Sequence, residues 1–198
     1  MNNINELVFI LDRSGSMFEK EEDVIGGFNS IVKTQKQIEG EAYVTLVCFN
    51  DEVETIIDRV NLNEVKNLSS QEYSCGGTTA LYDAIGMTIK HIQKIHKYIR
   101  KEDIPSTVTF FITTDGLENA SQQFNARQVQ NMIKELSANG KWEFNFLGQN
   151  IDVDKMGDDL GIEKANCMAY ANDSLGTIKQ FKDMNLRTTM RRNGGKKC

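Results

Sequence analysis

The first apolar run, Leu7 to Leu11, is continuous and predicts a short buried strand over Glu6–Leu11. Helical spacing follows at Val24, Phe28, Ile31 and Ile38, which predicts a helix over Glu21–Glu39. The stretch "AYVTLVCF" at 42–49 and the segment Val53–Val60 read as two strands, with Asn50-Asp51 as the turn signal between them. So short a link joins antiparallel neighbours, which puts one antiparallel strand at an edge of the sheet. A polar loop then leads to a long amphipathic stretch, Ala80–Arg100. Leu81, Ile85, Thr88, Ile92, Ile95 and Ile99 form its apolar stripe, with Lys90, Lys94, Lys97 and Lys101 outside it.

Pro105 is the single proline, and it precedes a strand at "STVTFFITT". Ala126, Val129, Ile133 and Leu136 mark another helix, closed by Asn139-Gly140. A strand over Trp142–Leu147, a short helix near Val153–Leu160, a strand near Ala165–Tyr170 and a helix from Leu175 complete the alternation. Strands alternating with helices predict an α/β fold: a doubly wound, mostly parallel sheet with one antiparallel edge strand and helices on both faces. Ligands of such sheets bind beyond the carboxyl ends of the strands, at the switch point of the strand order. The chain reads as one domain over residues 1–192, followed by a flexible basic tail at 193–198.

Chemistry gathers at those strand ends. Asp12-Arg13-Ser14-Gly15-Ser16 follows the first strand, Gly76-Gly77-Thr78-Thr79 precedes the long helix, and Thr113-Thr114-Asp115-Gly116 follows "VTFFI". Asp12, Ser14 and Ser16 alternate, so an extended loop can turn all three one way, while Gly15 permits a sharp turn. Carboxylates and hydroxyls without thiolate or imidazole form a hard-oxygen set, which suits Mg²⁺ or Mn²⁺. Taken singly, the serines also suit a helix cap and Asp115 a turn. Tyr82 and Asp83 read as helix residues beneath the site, and Thr79 as the second choice to Thr78.

The D-x-S-x-S at 12–16, the threonine after a glycine pair at 78 and the aspartate at 115 resemble the metal-ion-dependent adhesion site of von Willebrand factor type A domains. The order of elements resembles that family over roughly residues 5–190. The resemblance implies that Ser14 and Ser16 bind the cation directly, and that Thr78 does so directly or through water. Asp12 and Asp115 would act mainly through water. It also implies an open coordination position, filled by the Asp or Glu of a partner protein. Small intracellular bacterial-type members of the family are the nearest in kind.

Composition narrows the alternatives. The formal net charge is −5, so neither nucleic acid nor an anionic membrane is an expected partner. No charged leader precedes the first apolar run, and Cys48, Cys75, Cys167 and Cys198 form no zinc or disulfide spacing, so a cytoplasmic protein with reduced thiols is expected. Cys75 adjoins the glycine pair but reads as an idle loop thiol. His91 and His96 fall on the long helix without sharing a face, and both read as surface residues. A haloacid-dehalogenase-like phosphotransferase also carries an aspartate after its first strand, but it needs a second one two residues on, where this chain has Ser14. No nucleotide loop or nucleophile elbow is present. A binding module without catalysis is therefore the expectation, and a scaffold with a structural metal the third reading.

Overall fold

A computed structural model describes residues 4–194. Six strands form one sheet in the order β3-β2-β1-β4-β5-β6: β1 Asn5–Asp12, β2 Ala42–Phe49, β3 Val53–Asn61, β4 Thr107–Thr114, β5 Trp142–Gln149 and β6 Cys167–Tyr170. Among the described strands only the β2–β3 pair is antiparallel, as its short link requires, and β3 lies at the edge. The sheet reverses its winding at β1, whose neighbours are β2 and β4, so the carboxyl ends of β1 and β4 lie side by side. Leu11 pairs with Thr113 there, which brings Asp12 beside Thr114 and Asp115.

Among the described residues five α-helices cover the two faces: α1 Glu21–Gln35, α2 Leu81–Tyr98, α3 Ala126–Ser137, α4 Val153–Leu160 and α5 Ser174–Arg192. Alternation along β1 divides the core. Leu7, Phe9 and Leu11 pack with Phe28 and Ile31 of α1 and Phe181 and Met184 of α5. Val8 and Ile10 pack with Ile85, Ile89 and Ile92 of α2, Val129 and Ile133 of α3 and Leu160 of α4. A strand covered on both faces has no wet side, so an unbroken apolar run is what it needs. No helix among the described residues is long and apolar enough to cross a membrane.

The boundaries differ from expectation in three places. The first helix stops at Gln35, because residues 36–40 turn into a left-handed Gly40 (φ 100°) and Ile38 makes a tighter bond back to Gln35. A 3-10 turn over Gly15–Lys20 precedes it, and β6 begins at Cys167 after another such turn. The tail at 195–198, with Cys198, lies outside the described residues. Cys48, Cys75 and Cys167 are free thiols.

Contact between α1 and α5 depends on Gly27. A Cβ there would lie 2.3 Å from the Phe181 ring. Gly27→Ala is therefore expected to lower stability by about 1–3 kcal/mol, measured by urea unfolding, because the rigid ring must move or the helices must part. Gly26 on the same helix has open space at its Cβ, so Gly26→Ala is the matched control.

At the amino-terminal end of the strands, away from the expected site, Glu6 is fully buried between the Arg59 guanidinium and the His96 imidazole. His96 Nε2 lies 2.5 Å from one carboxylate oxygen and Arg59 Nε 3.5 Å from the other. Arg59 occupies a left-handed backbone position (φ 46°) at an irregularity of β3, stacks on Tyr43 at 4.2 Å and donates to the Asp103 carbonyl. His96 is thus no surface residue: it meets Glu6 and stands edge-on to Trp142. His91 does face outward, paired with Asp58.

Candidate metal centre

Asp12, Ser14, Ser16 and Asp115 meet beyond the ends of β1 and β4. The Asp12 carboxylate is sealed from solvent and held at both oxygens: Oδ1 accepts the Ser14 N–H at 2.7 Å, and Oδ2 the Thr114 hydroxyl at 2.6 Å. Its own carbonyl accepts the phenolic hydroxyl of Tyr73, which is wholly buried. Burial pushes the Asp12 carboxyl above its ordinary pKa, against the opposing pull of Thr114 and Ser14. A buried carboxylate of this kind is short of positive charge.

The hydroxyls continue the line. Ser14 Oγ lies 3.1 Å from Ser16 Oγ, and the Ser16 hydroxyl donates to Asp115 Oδ1. Ser14 stands at the cap position of the 3-10 turn, yet its side chain makes no capping bond. Its hydroxyl is turned to Ser16 instead, so the helix-cap reading does not describe it. Cis oxygens of an octahedral Mg²⁺ ligated at about 2.1 Å are separated by about 3 Å, close to the spacing found here. The donor chemistry and spacing fit a small hard cation. Among the described residues no group of three His, Cys, Asp or Glu side chains is placed to hold a metal; the cluster combines two carboxylates with hydroxyls.

Thr78 does not join this cluster. It is exposed, and its side chain takes no hydrogen bond among the described residues. Thr79 is buried, and a Cβ at Gly116 would lie 3.2 Å from its Oγ1 and 3.9 Å from Ser16 Oγ. Its backbone is tied to the third loop: Asn119 Oδ1 accepts the Thr79 N–H at 2.9 Å, and the Thr79 carbonyl accepts from Asn119 and Ala120. Asp83 reinforces that tie, its carboxylate accepting the N–H groups of Gln122, Gln123 and Phe124. The first and second loops are joined as well, through Gly76 N–H to Arg13 O at 2.9 Å and Gly15 N–H to Gly77 O at 3.2 Å. Gly77 is left-handed (φ 76°), and a Cβ there would strike Asp51, so only glycine fits.

Sequence reasoning missed Lys20. Its ammonium is buried and donates to Asp115 Oδ2 at 2.5 Å, Asn172 Oδ1 at 2.6 Å and Gln149 Oε1 at 3.3 Å. Within "FEKEED" it reads as one charge on a solvated face, and no sequence signal marks it as buried. Burial, then the neighbouring Glu21, push the Cys75 thiol up to about 12. Exposed Phe18 and Leu117 flank the cluster in sequence, two residues after Ser16 and one after Gly116.

Comparison with known proteins identifies the fold and the family. No curated protein matches the chain. Among solved structures, a von Willebrand factor type A protein from Catenulispora acidiphila superposes with a TM-score of 0.63 at 14% identity, over 93% of this chain and 42% of that one. A mutant of the PilB minor pilin from Streptococcus sanguinis gives 0.67 at 12% identity, over 94% and 62%. Proximal thread matrix protein 1 from the mussel byssus, with a zinc-occupied MIDAS motif, gives 0.61 at 11% identity, over 93% and 46%. The chain thus spans less than two thirds of each, and at these identities the likeness shows the shared fold. The sequence profile of the von Willebrand factor type A domain matches residues 6–184, nearly the whole described chain, and the protein belongs to that family.

Proposed function

We propose that Asp12, Ser14, Ser16, Thr79 and Asp115 hold one divalent hard cation, Mg²⁺ or Mn²⁺, and that the protein uses it to capture an Asp or Glu side chain of a partner protein. Von Willebrand factor type A domains are generally metal-dependent protein-interaction modules. The observation that carries the reading is the continuous oxygen line from Ser14 Oγ through Ser16 Oγ to Asp115 Oδ1. Bound there, a divalent cation supplies an open, electropositive coordination position for a carboxylate. Ser14, Ser16 and Thr79 present neutral oxygens to it, Asp12 orients Ser14 through its backbone N–H, and Asp115 orients Ser16. Phe18 and Leu117 offer apolar contact to the residues beside the captured acid. The free thiols Cys48, Cys75 and Cys167 suit a cytoplasmic setting.

A phosphotransferase would need Asp12 as a free nucleophile. Both of its oxygens are engaged and it has no exposure, which favours binding over catalysis. The test is retention of proteins on immobilised wild type with Mg²⁺, compared with EDTA and with Ser16→Ala, followed by Asn or Gln substitution of each interface carboxylate in a retained protein. Binding that ignores EDTA and every such substitution would sink the mechanism. The choice between the threonines is separable: Thr79→Val is expected to weaken Mn²⁺ binding about tenfold in a calorimetric titration, and exposed Thr78→Val to leave it unchanged.

A further inference from the structure

We propose that Lys20 is a fixed counter-charge of the metal site, which holds its affinity for the cation down and leaves the loaded site with a net positive charge. The inference rests on the metal reading above. Two carboxylates, Asp12 and Asp115, face the cluster, and the Lys20 ammonium cancels one of them. A divalent cation then brings the sum of these groups to one positive charge, where the two carboxylates alone would bring it to zero. Lys20 occupies Asp115 Oδ2, whereas the Ser16 hydroxyl meets Oδ1, so the two groups take different oxygens of the carboxylate.

Its position is built. All three ammonium protons have acceptors, and Gln149 is itself fixed by the Thr177 hydroxyl and by Gln180, both on α5. With only 5% of Lys20 exposed, its charge is weakly screened by solvent or salt and acts strongly on any cation bound to the same carboxylate. Charges in this arrangement repel, so the first cost of Lys20 falls on metal binding. Its return is electrophilicity: a site that remains positive after loading attracts an anionic group more strongly than a neutral one.

A purely structural ion pair predicts the opposite sign. If Lys20 only braced Asp115, its removal would loosen that ligand and weaken the metal. Calorimetric titration with Mn²⁺ of the metal-free full chain, wild type against Lys20→Gln and Asn172→Asp, decides between them. Lys20→Gln deletes the charge. Asn172→Asp, on an exposed residue, offsets it without touching the ligands and keeps the test alive if Lys20→Gln does not fold. Each is expected to bind Mn²⁺ at least about fivefold more tightly than wild type. Equal or weaker binding by the folded variants overturns the counter-charge while leaving the metal site standing. A wild type that takes up no Mn²⁺ at millimolar concentration removes the metal reading and this inference together.

Discussion

Asp115→Asn is expected to weaken Mn²⁺ binding about a hundredfold relative to wild type, read by calorimetric titration of the metal-free protein. The substitution keeps the shape of the side chain and an oxygen for Lys20 or Ser16, so the fold should survive. What it removes is negative charge, and it does so where negative charge is scarce. With Lys20 already cancelling one carboxylate, the neutral amide leaves Asp12 and the ammonium summing to zero before any cation arrives. Asp12→Asn should act in the same direction. Affinity within a few-fold of wild type in both variants would remove these residues from the site.

The second large effect is on stability. Glu6→Ala is expected to cost about 3 kcal/mol in urea unfolding, because it strips the shared partner from Arg59 and His96 while both remain largely buried. Glu6→Gln retains an acceptor and the side-chain volume and should cost less. The ordering of the two variants is the diagnostic part: equal losses would mean that packing, and not the charge cluster, sets the value. Neither change touches the carboxyl ends of the strands, so Mn²⁺ affinity of the folded fraction should be unaltered.

Much of this arrangement is legible from residue order. The unbroken "LVFIL" names a strand covered on both faces, and the short Asn50-Asp51 link names the antiparallel edge, which the β2–β3 register bears out. The oxygen cluster is legible for Asp12, Ser14, Ser16 and Asp115, since alternation in a loop and position at a strand end are local properties. The choice of threonine is not local. Thr78 and Thr79 have equivalent chemistry, and what turns Thr79 inward is a pair of bonds to Asn119, forty residues on. Lys20 is less legible still, because its acceptors come from three separate segments at 115, 149 and 172. A lysine beside acidic residues signals water unless those distant acceptors are known. Asp83 shows the same blindness: it reads as a helix residue, and its function as a clamp on residues 122–124 exists only across the fold.

The ties between the loops decide which state of the chain a cation at this site would bind. The oxygens converge from segments at 12–16, 79 and 115, and Asn119, Gly77 and Lys20 hold those segments in register. An unfolded chain presents no such convergence, so a cation that binds here binds the native state alone. Thermodynamic linkage then makes the metal a folding ligand: at a hundredfold excess over its dissociation constant it adds about 2.7 kcal/mol to the unfolding free energy. The melting temperature would then rise with cation concentration, and chelation would expose the protein to unfolding as well as silence its binding.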